Sequence, residues 1–288
     1  MRTRRRSGRD SVAFVLGGGG HLGAYQVGML RALLERDIAP DLVLGTSIGA
    51  INGAVAAAQP GPGAIDEMTR VWQDVAGSDM LGGSVLRQIT TLARTGTHLH
   101  SAGPLRSLLQ RFLGDACIED LPVRFQCVAA SIERASEHWF ERGSVVDAVL
   151  ASCSVPGALP PMRIGQEHFI DGGIVNSIPV GRAVALGATT IYVLQVGRVD
   201  SVLRPPRYPW EVGLIAFEVA RRHRYMHDLA TVPDTVSVHV LPTGVNRPPR
   251  FNDWQNFRYR DFKQTSARID QAYRASGVYL DGVTAPGE

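Results

Sequence analysis

A serine between glycines, Gly45-Thr46-Ser47-Ile48-Gly49, stands where an apolar run ends and a helical pattern begins. A G-x-S-x-G string on a strand-to-helix turn exposes a serine hydroxyl as a nucleophile. The glycines at positions 45 and 49 let backbone close around the turn, and the following helix points its positive end at Ser47. Upstream, Gly18-Gly19-Gly20-His21-Leu22-Gly23 also lies between an apolar run and a helical pattern. Glycine loses more backbone freedom on folding than any other residue, so the run Gly17–Gly20 needs a reason.

Two chemistries fit that loop. G-x-G-x-x-G after a strand is the dinucleotide fingerprint, which needs an acid about 20 residues on, at the end of the second strand. Here that strand ends in Gly45-Thr46-Ser47, and Asp41 sits at its wrong end. The other reading is a set of bare backbone amides, those of Gly18, Gly19 and Gly20, facing the negative charge that develops on a substrate carbonyl oxygen. The spacing favours acyl transfer over nucleotide binding.

A serine nucleophile needs a proton acceptor. A Ser–Asp–His triad would use a later histidine, and His223, His227 and His239 are available. His239 falls inside an apparent strand, and the other two lie on an Arg-rich helical stretch that reads as a solvated face. Asp171 in "FIDGGIVNSIP" follows an apolar strand and precedes Gly172 and Gly173. An aspartate is a weak base in water, with a pKa near 3.9, but a dry apolar pocket would raise that value. Local sequence equally allows a plain turn-forming Asp-Gly-Gly.

These residues need a scaffold. "SVAFVLG" reads as a buried strand, followed by a helix with Val27, Leu30, Leu33 and Leu34 at helical spacing. "DLVLG" is a second strand and "SIGAINGAVAAA" a second helix, the opening of a parallel α/β sheet. Further on, "FQCVAASIE" and "EHWFERG" read as paired strands and "SVVDAVLASC" as a helix stopped by "VPGALPP". "RIGQEHFIDGG" reads as a hairpin, "TIYVLQV" as a strand, and "FRYRDFKQTSARIDQAYRASG" as a helix that Gly277 ends. "SVLRQITTLAR", Ser84 to Arg94, has one apolar helical face. That face suits either core packing or a cap that covers the Ser47 pocket and opens at a lipid surface.

The chain has 288 residues and a formal net charge of +3. Five arginines lie in the first nine positions; without them 25 basic residues face 27 acidic ones, a net −2. The body therefore lacks a nucleic-acid footprint. Residues 1–11 read as a disordered basic tail and 12–288 as one domain. The run Val12–Leu16 is too short for a signal core, and no stretch reaches the length of a membrane span. Cys117, Cys127 and Cys153 lack metal-ligand spacing and read as free thiols in a reducing compartment. The expected setting is cytoplasmic, peripheral at most to a membrane.

The glycine loop at 18–23, Gly-Thr-Ser-Ile-Gly at 45–49 and Asp-Gly-Gly at 171–173, with "ASCSVPGALPP" and "ALGATTIYVL", together resemble a bacterial patatin-like phospholipase. The resemblance covers roughly residues 12–200. It implies a three-layer α/β/α sandwich with a mainly parallel central sheet. It also implies a lipid acyl hydrolase with Ser47 as nucleophile, Asp171 as base and the glycine loop as oxyanion hole. No cofactor or metal is implied; the partners are a lipid or acyl-ester substrate and a transient membrane surface. One position departs from the pattern: Leu22 stands where the family often carries Arg or Lys. A Ser–Asp–His hydrolase and a weakly active lipid-binding relative are the rival expectations.

Overall fold

The computed structural model describes residues 11–77, 90, 91, 94–196, 202–245 and 264–284. Residues 1–10 of the basic tail and most of the Ser84–Arg94 segment, with its expected cap, lie outside the described residues, whereas Ser11 is tied to Thr189 and is not part of a loose tail.

The chain opens β1 (Val12–Leu16), α1 (Ala24–Leu34), β2 (Leu42–Thr46), α2 (Ile48–Ala58) and α3 (Gly63–Gly77). Then come α4 (Gly103–Leu113), β3 (Arg124–Ser131), β4 (Ser136–Phe140), α5 (Val145–Ser152), β5 (Met162–Ile164) and β6 (Glu167–Asp171). A short α6 (Gly173–Asn176), α7 (Val180–Ala185), β7 (Thr190–Leu194), α8 (Pro209–Ala230), β8 (Ser237–Val240) and α9 (Thr265–Thr284) complete it. Strand order in the sheet is β5-β6-β3-β2-β1-β7-β8, with β4 also paired to β3. β3, β2, β1, β7 and β8 run parallel; β4 and β6 run antiparallel to β3.

The central strands are apolar on both faces, as parallel strands covered by helices on both sides must be. Phe14 and Leu16 of β1, Val43 of β2, and Tyr192 and Leu194 of β7 face one core, shared with α1, α2, α3 and α5. Their neighbours Ala13, Val15, Leu44, Ile191 and Val193 face the other, shared with α7 and with Tyr225 of α8. Strand alternation of period two thus feeds two separate cores, giving a three-layer α/β/α sandwich.

Two helices differ from expectation. Gly277 does not end α9, which runs on to Thr284. A Cβ at Gly277 would stand 3.0 Å from Arg36 Nη2, so the glycine admits that guanidinium, which pairs with Asp281. Tertiary packing here outweighs the local stop signal. The Arg-rich stretch of α8 is not simply a solvated face, because Arg221 is buried with Glu218 and Asp228.

Candidate active site

Ser47 occupies the joint between β2 and α2 with φ 54° and ψ −123°, one of three described non-glycine residues at positive φ. Such a conformation costs about 1–3 kcal/mol and persists only where the surroundings hold it. The motif glycines supply that hold by proximity. A Cβ at Gly45 would lie 2.5 Å from Ala50 Cα, and one at Gly49 would lie 2.1 Å from Leu16 O. Side chains at either position would force strand end and helix start apart. The Ser47 N–H donates to Ser152 Oγ at 2.9 Å, and Thr46 Oγ1 donates to Asn176 O at 2.9 Å.

Asp171 reaches Ser47 through the register of one strand. Cys127 of β3 pairs with Gly45 of β2 on one side and with Phe140 of β4 on the other. Ala129 of β3 pairs with His138 of β4 and with Asp171 of β6. Because β4 fills one edge of β3, β2 and β6 must share the opposite edge. There β2 ends at Thr46 opposite Val128, and β6 ends from the other direction at Asp171 opposite Ala129. Two strand ends meet head-on, and the residues at the meeting point are Ser47 and Asp171. Gly172 is required there, since a Cβ on it would lie 2.1 Å from Val128 O.

Ser47 Oγ donates to Asp171 Oδ2 at 2.6 Å, and Asp171 Oδ1 accepts the Gly173 N–H at 2.7 Å. One carboxylate oxygen is anchored and the other faces the hydroxyl. Asp171 is buried while Ser47 is partly exposed, so the carboxylate is shielded and the hydroxyl accessible. Burial lifts the Asp171 carboxyl from 3.8 to about 6, against the opposing pull of its bonds to Ser47 and Gly173. The end of α5 holds both partners in place. Ser152 takes the Ser47 amide on its hydroxyl and the Gly172 amide on its carbonyl, and Ser154 O accepts the Asp171 N–H.

The glycine loop lies against Ser47: a Cβ at Gly18 would stand 3.5 Å from Ser47 Cβ. Gly18 departs from the expected role of its amide, which donates to Ser177 O at 3.0 Å. Among the described residues, no hydrogen bond takes up the amides of Gly19 and Gly20. Gly20 has φ 55°, and a Cβ at Gly19 would meet Val196 Cγ2 at 2.1 Å. Gly23 closes the loop under the Trp72 ring. Leu22 is half-buried and packs against the larger core.

A buried polar network holds the loop from beneath. Gln26 Nε2 donates to Gly17 O and to Leu194 O. Asn52 Nδ2 donates to Gly23 O and to Gln26 Oε1, and its Oδ1 accepts from Trp72 Nε1. Both ends of the loop are thus tied to α1, α2 and α3 by satisfied buried bonds, which rigidify a site. Sequence reading missed Ser152, Gln26 and Asn52; buried polar residues on otherwise apolar helices were the available signal.

The three later histidines lie on other elements. His223 and His227 are exposed on α8, while His239 in β8 stacks on Tyr192 and bonds Tyr279. All three cysteines are free; Cys127 and Cys153 are buried and Cys117 is half-buried. Among the described residues no helix is long and apolar enough to cross a membrane.

A doubly covered sheet with a strained serine at a strand end, and an aspartate bonded to it, defines a serine–aspartate site on an α/β/α scaffold. The Patatin-like phospholipase pattern matches residues 14–184, more than half of the chain, and the chain belongs to that family. It is 38% identical over 176 residues to an uncharacterized NTE family protein of Mycobacterium tuberculosis, covering 61% of this chain and 28% of that one. It is 34% identical over 197 residues to Lysophospholipase nte1 of Aspergillus terreus, covering 68% of this chain and 12% of that one. The curated relatives it matches are much longer, the chain spanning 12% to 28% of their length. Among solved structures, VipD from Legionella pneumophila aligns with a TM-score of 0.46 and 13% identity, over 96% of this chain and 67% of that one.

Proposed function

We propose that this chain is a lipid ester hydrolase of the phospholipase A or lysophospholipase type, working through a Ser47–Asp171 dyad without a histidine. The observation that carries the reading is the 2.6 Å bond from Ser47 Oγ to a buried carboxylate lifted to about 6. Such a carboxylate is ionised at neutral pH yet basic enough to accept a proton. Ser47 Oγ attacks the ester carbonyl carbon as its proton passes to Asp171 Oδ2. The carbonyl oxygen becomes an oxyanion, met by the Gly19 and Gly20 amides and the positive end of α2. Collapse breaks the bond to the alcohol, which leaves with the proton from Asp171, and Ser47 keeps the acyl group. Water then gives a proton to Asp171 while its oxygen attacks the acyl carbon. The fatty acid departs, and Ser47 Oγ recovers the proton.

Membership of the Patatin-like phospholipase family and the similarity to a lysophospholipase support a lipid substrate. Fatty-acid release from phosphatidylcholine and lysophosphatidylcholine by the pure protein tests the reading. Ser47→Ala should abolish release, and His223→Ala, His227→Ala and His239→Ala should leave it within a few-fold. A histidine substitution as damaging as Asp171→Asn in a folded protein would return the reading to a triad.

A further inference from the structure

α8 is built inside out. Its buried side carries Glu211, Glu218, Arg221 and Asp228 beside Tyr225. These charges are satisfied internally: Glu218 binds Arg221 and Arg222, Asp228 binds Arg224 and the Gly181 amide, and Glu211 accepts the Arg207 amide. The outward side carries Val212, Val219 and Met226, exposed by 54, 52 and 57%. Residues seven apart drift only about 20° around a helix, so these three form one stripe. Ala216, Ala220, His223 and His227 are exposed as well, and the approach to the helix exposes Val202, Arg204, Arg207 and Tyr208. All three acidic residues between 202 and 230 are buried. The outer skin of this segment is therefore apolar and basic, with no exposed carboxylate.

Water alone favours the reverse arrangement. A second copy of the chain is a poor cover, because a helix-to-helix seam needs an unbroken apolar row at three- and four-residue spacings, and Ile215 and Ala216 carry it only from Val212 to Val219. Between Val219 and Met226 those positions hold Arg222 and His223. An interfacial helix, in contrast, sinks an apolar stripe into the headgroup boundary and keeps basic residues at an anionic surface. The position also suits: α8 packs Phe217 against Gly173, whose amide holds Asp171, and Ile174 beside it is exposed.

We propose that the outer face of α8, with Arg204 and Arg207 ahead of it, docks this chain on an anionic lipid bilayer. The choice of a bilayer rests on the lipid-hydrolase reading; the inverted helix does not. Co-sedimentation tests docking with Ser47→Ala protein, so that vesicles stay intact. The probes are vesicles of phosphatidylcholine alone and of a phosphatidylcholine–phosphatidylglycerol mixture. The protein should bind the anionic vesicles in preference. Val212→Glu with Val219→Glu and Met226→Glu should weaken binding at least ~10-fold, and Arg204→Glu with Arg207→Glu about 5-fold per charge. With Ser47 intact, the triple substitution should spare hydrolysis of a short soluble ester and depress hydrolysis of vesicle lipid. Should the glutamates prevent folding, Val212→Ser, Val219→Ser and Met226→Gln should still lower vesicle binding measurably. Absence of vesicle binding, or undiminished binding by a folded stripe variant, would overturn the proposal. So would a dimer in sedimentation velocity that the stripe substitutions dissolve. Failure of the lipid-hydrolase reading would appear separately, as no ester release by protein that still binds vesicles.

Discussion

Replacing Asp171 by asparagine should abolish most activity and yet stabilise the fold. The carboxyl is lifted from 3.8 to about 6, chiefly by burial. A carboxyl whose folded pKa is raised binds its proton more tightly in the folded state, so ionising it opposes folding. The penalty begins as pH rises past about 4 and is complete above about 6. A lift of about two pH units corresponds to about 3 kcal/mol at pH 8, and about half of that at pH 5. Asparagine carries no charge, keeps an oxygen for the Gly173 amide, and escapes the penalty. Urea unfolding of the two proteins should therefore show Asp171→Asn more stable by about 2–3 kcal/mol at pH 8, with the gap roughly halved at pH 5. Ester turnover should fall at least ~10²-fold, the low end of general-base effects. A gap that ignores pH, or a variant less stable than the parent at pH 8, would refute a dry, ionised carboxylate at this position.

Two further predictions concern the glycine loop. Gly19→Ala should cut turnover about 10²-fold, the weight of one oxyanion donor, because its Cβ would strike Val196 Cγ2. Since that obstacle is a side chain, adding Val196→Ala should restore most of the loss; no recovery would show that the loop backbone itself rejects the methyl group. Asn52→Leu should destabilise the protein by about 3 kcal/mol, because it removes at once the buried bonds to Gly23 O, Gln26 Oε1 and Trp72 Nε1. A Gln26–Asn52 double-mutant cycle in urea should give a coupling of ~1 kcal/mol or more.

What the sequence revealed was local. The elbow shows because tight contacts at Gly45 and Gly49 exclude side chains, and strict glycine spacing is the residue-level trace of that exclusion. The apolar runs of β1, β2 and β7 show because both faces of each strand are buried. The Asp171 turn showed as a shape, but not which partner it meets. That meeting depends on β2 and β6 sharing one edge of β3, a long-range register that no short window contains. The same holds for Ser152, an unremarkable helix-end serine until its hydroxyl is seen beneath the Ser47 amide. Gly277 and the Arg-rich part of α8 misled for the complementary reason. A neighbouring Arg36 at one, and buried carboxylate partners at the other, reversed what local composition suggests.

Covalent labelling reads out directly whether Asp171 alone activates Ser47. The rate at which a fluorophosphonate probe modifies the protein should be followed from pH 4 to 9, with the modified residue mapped by peptide mass. Modification should fall on Ser47 and rise through one ionisation near 6, and Asp171→Asn should lose that rise. Labelling of another residue, or a profile that Asp171→Asn leaves unchanged, would contradict activation by Asp171.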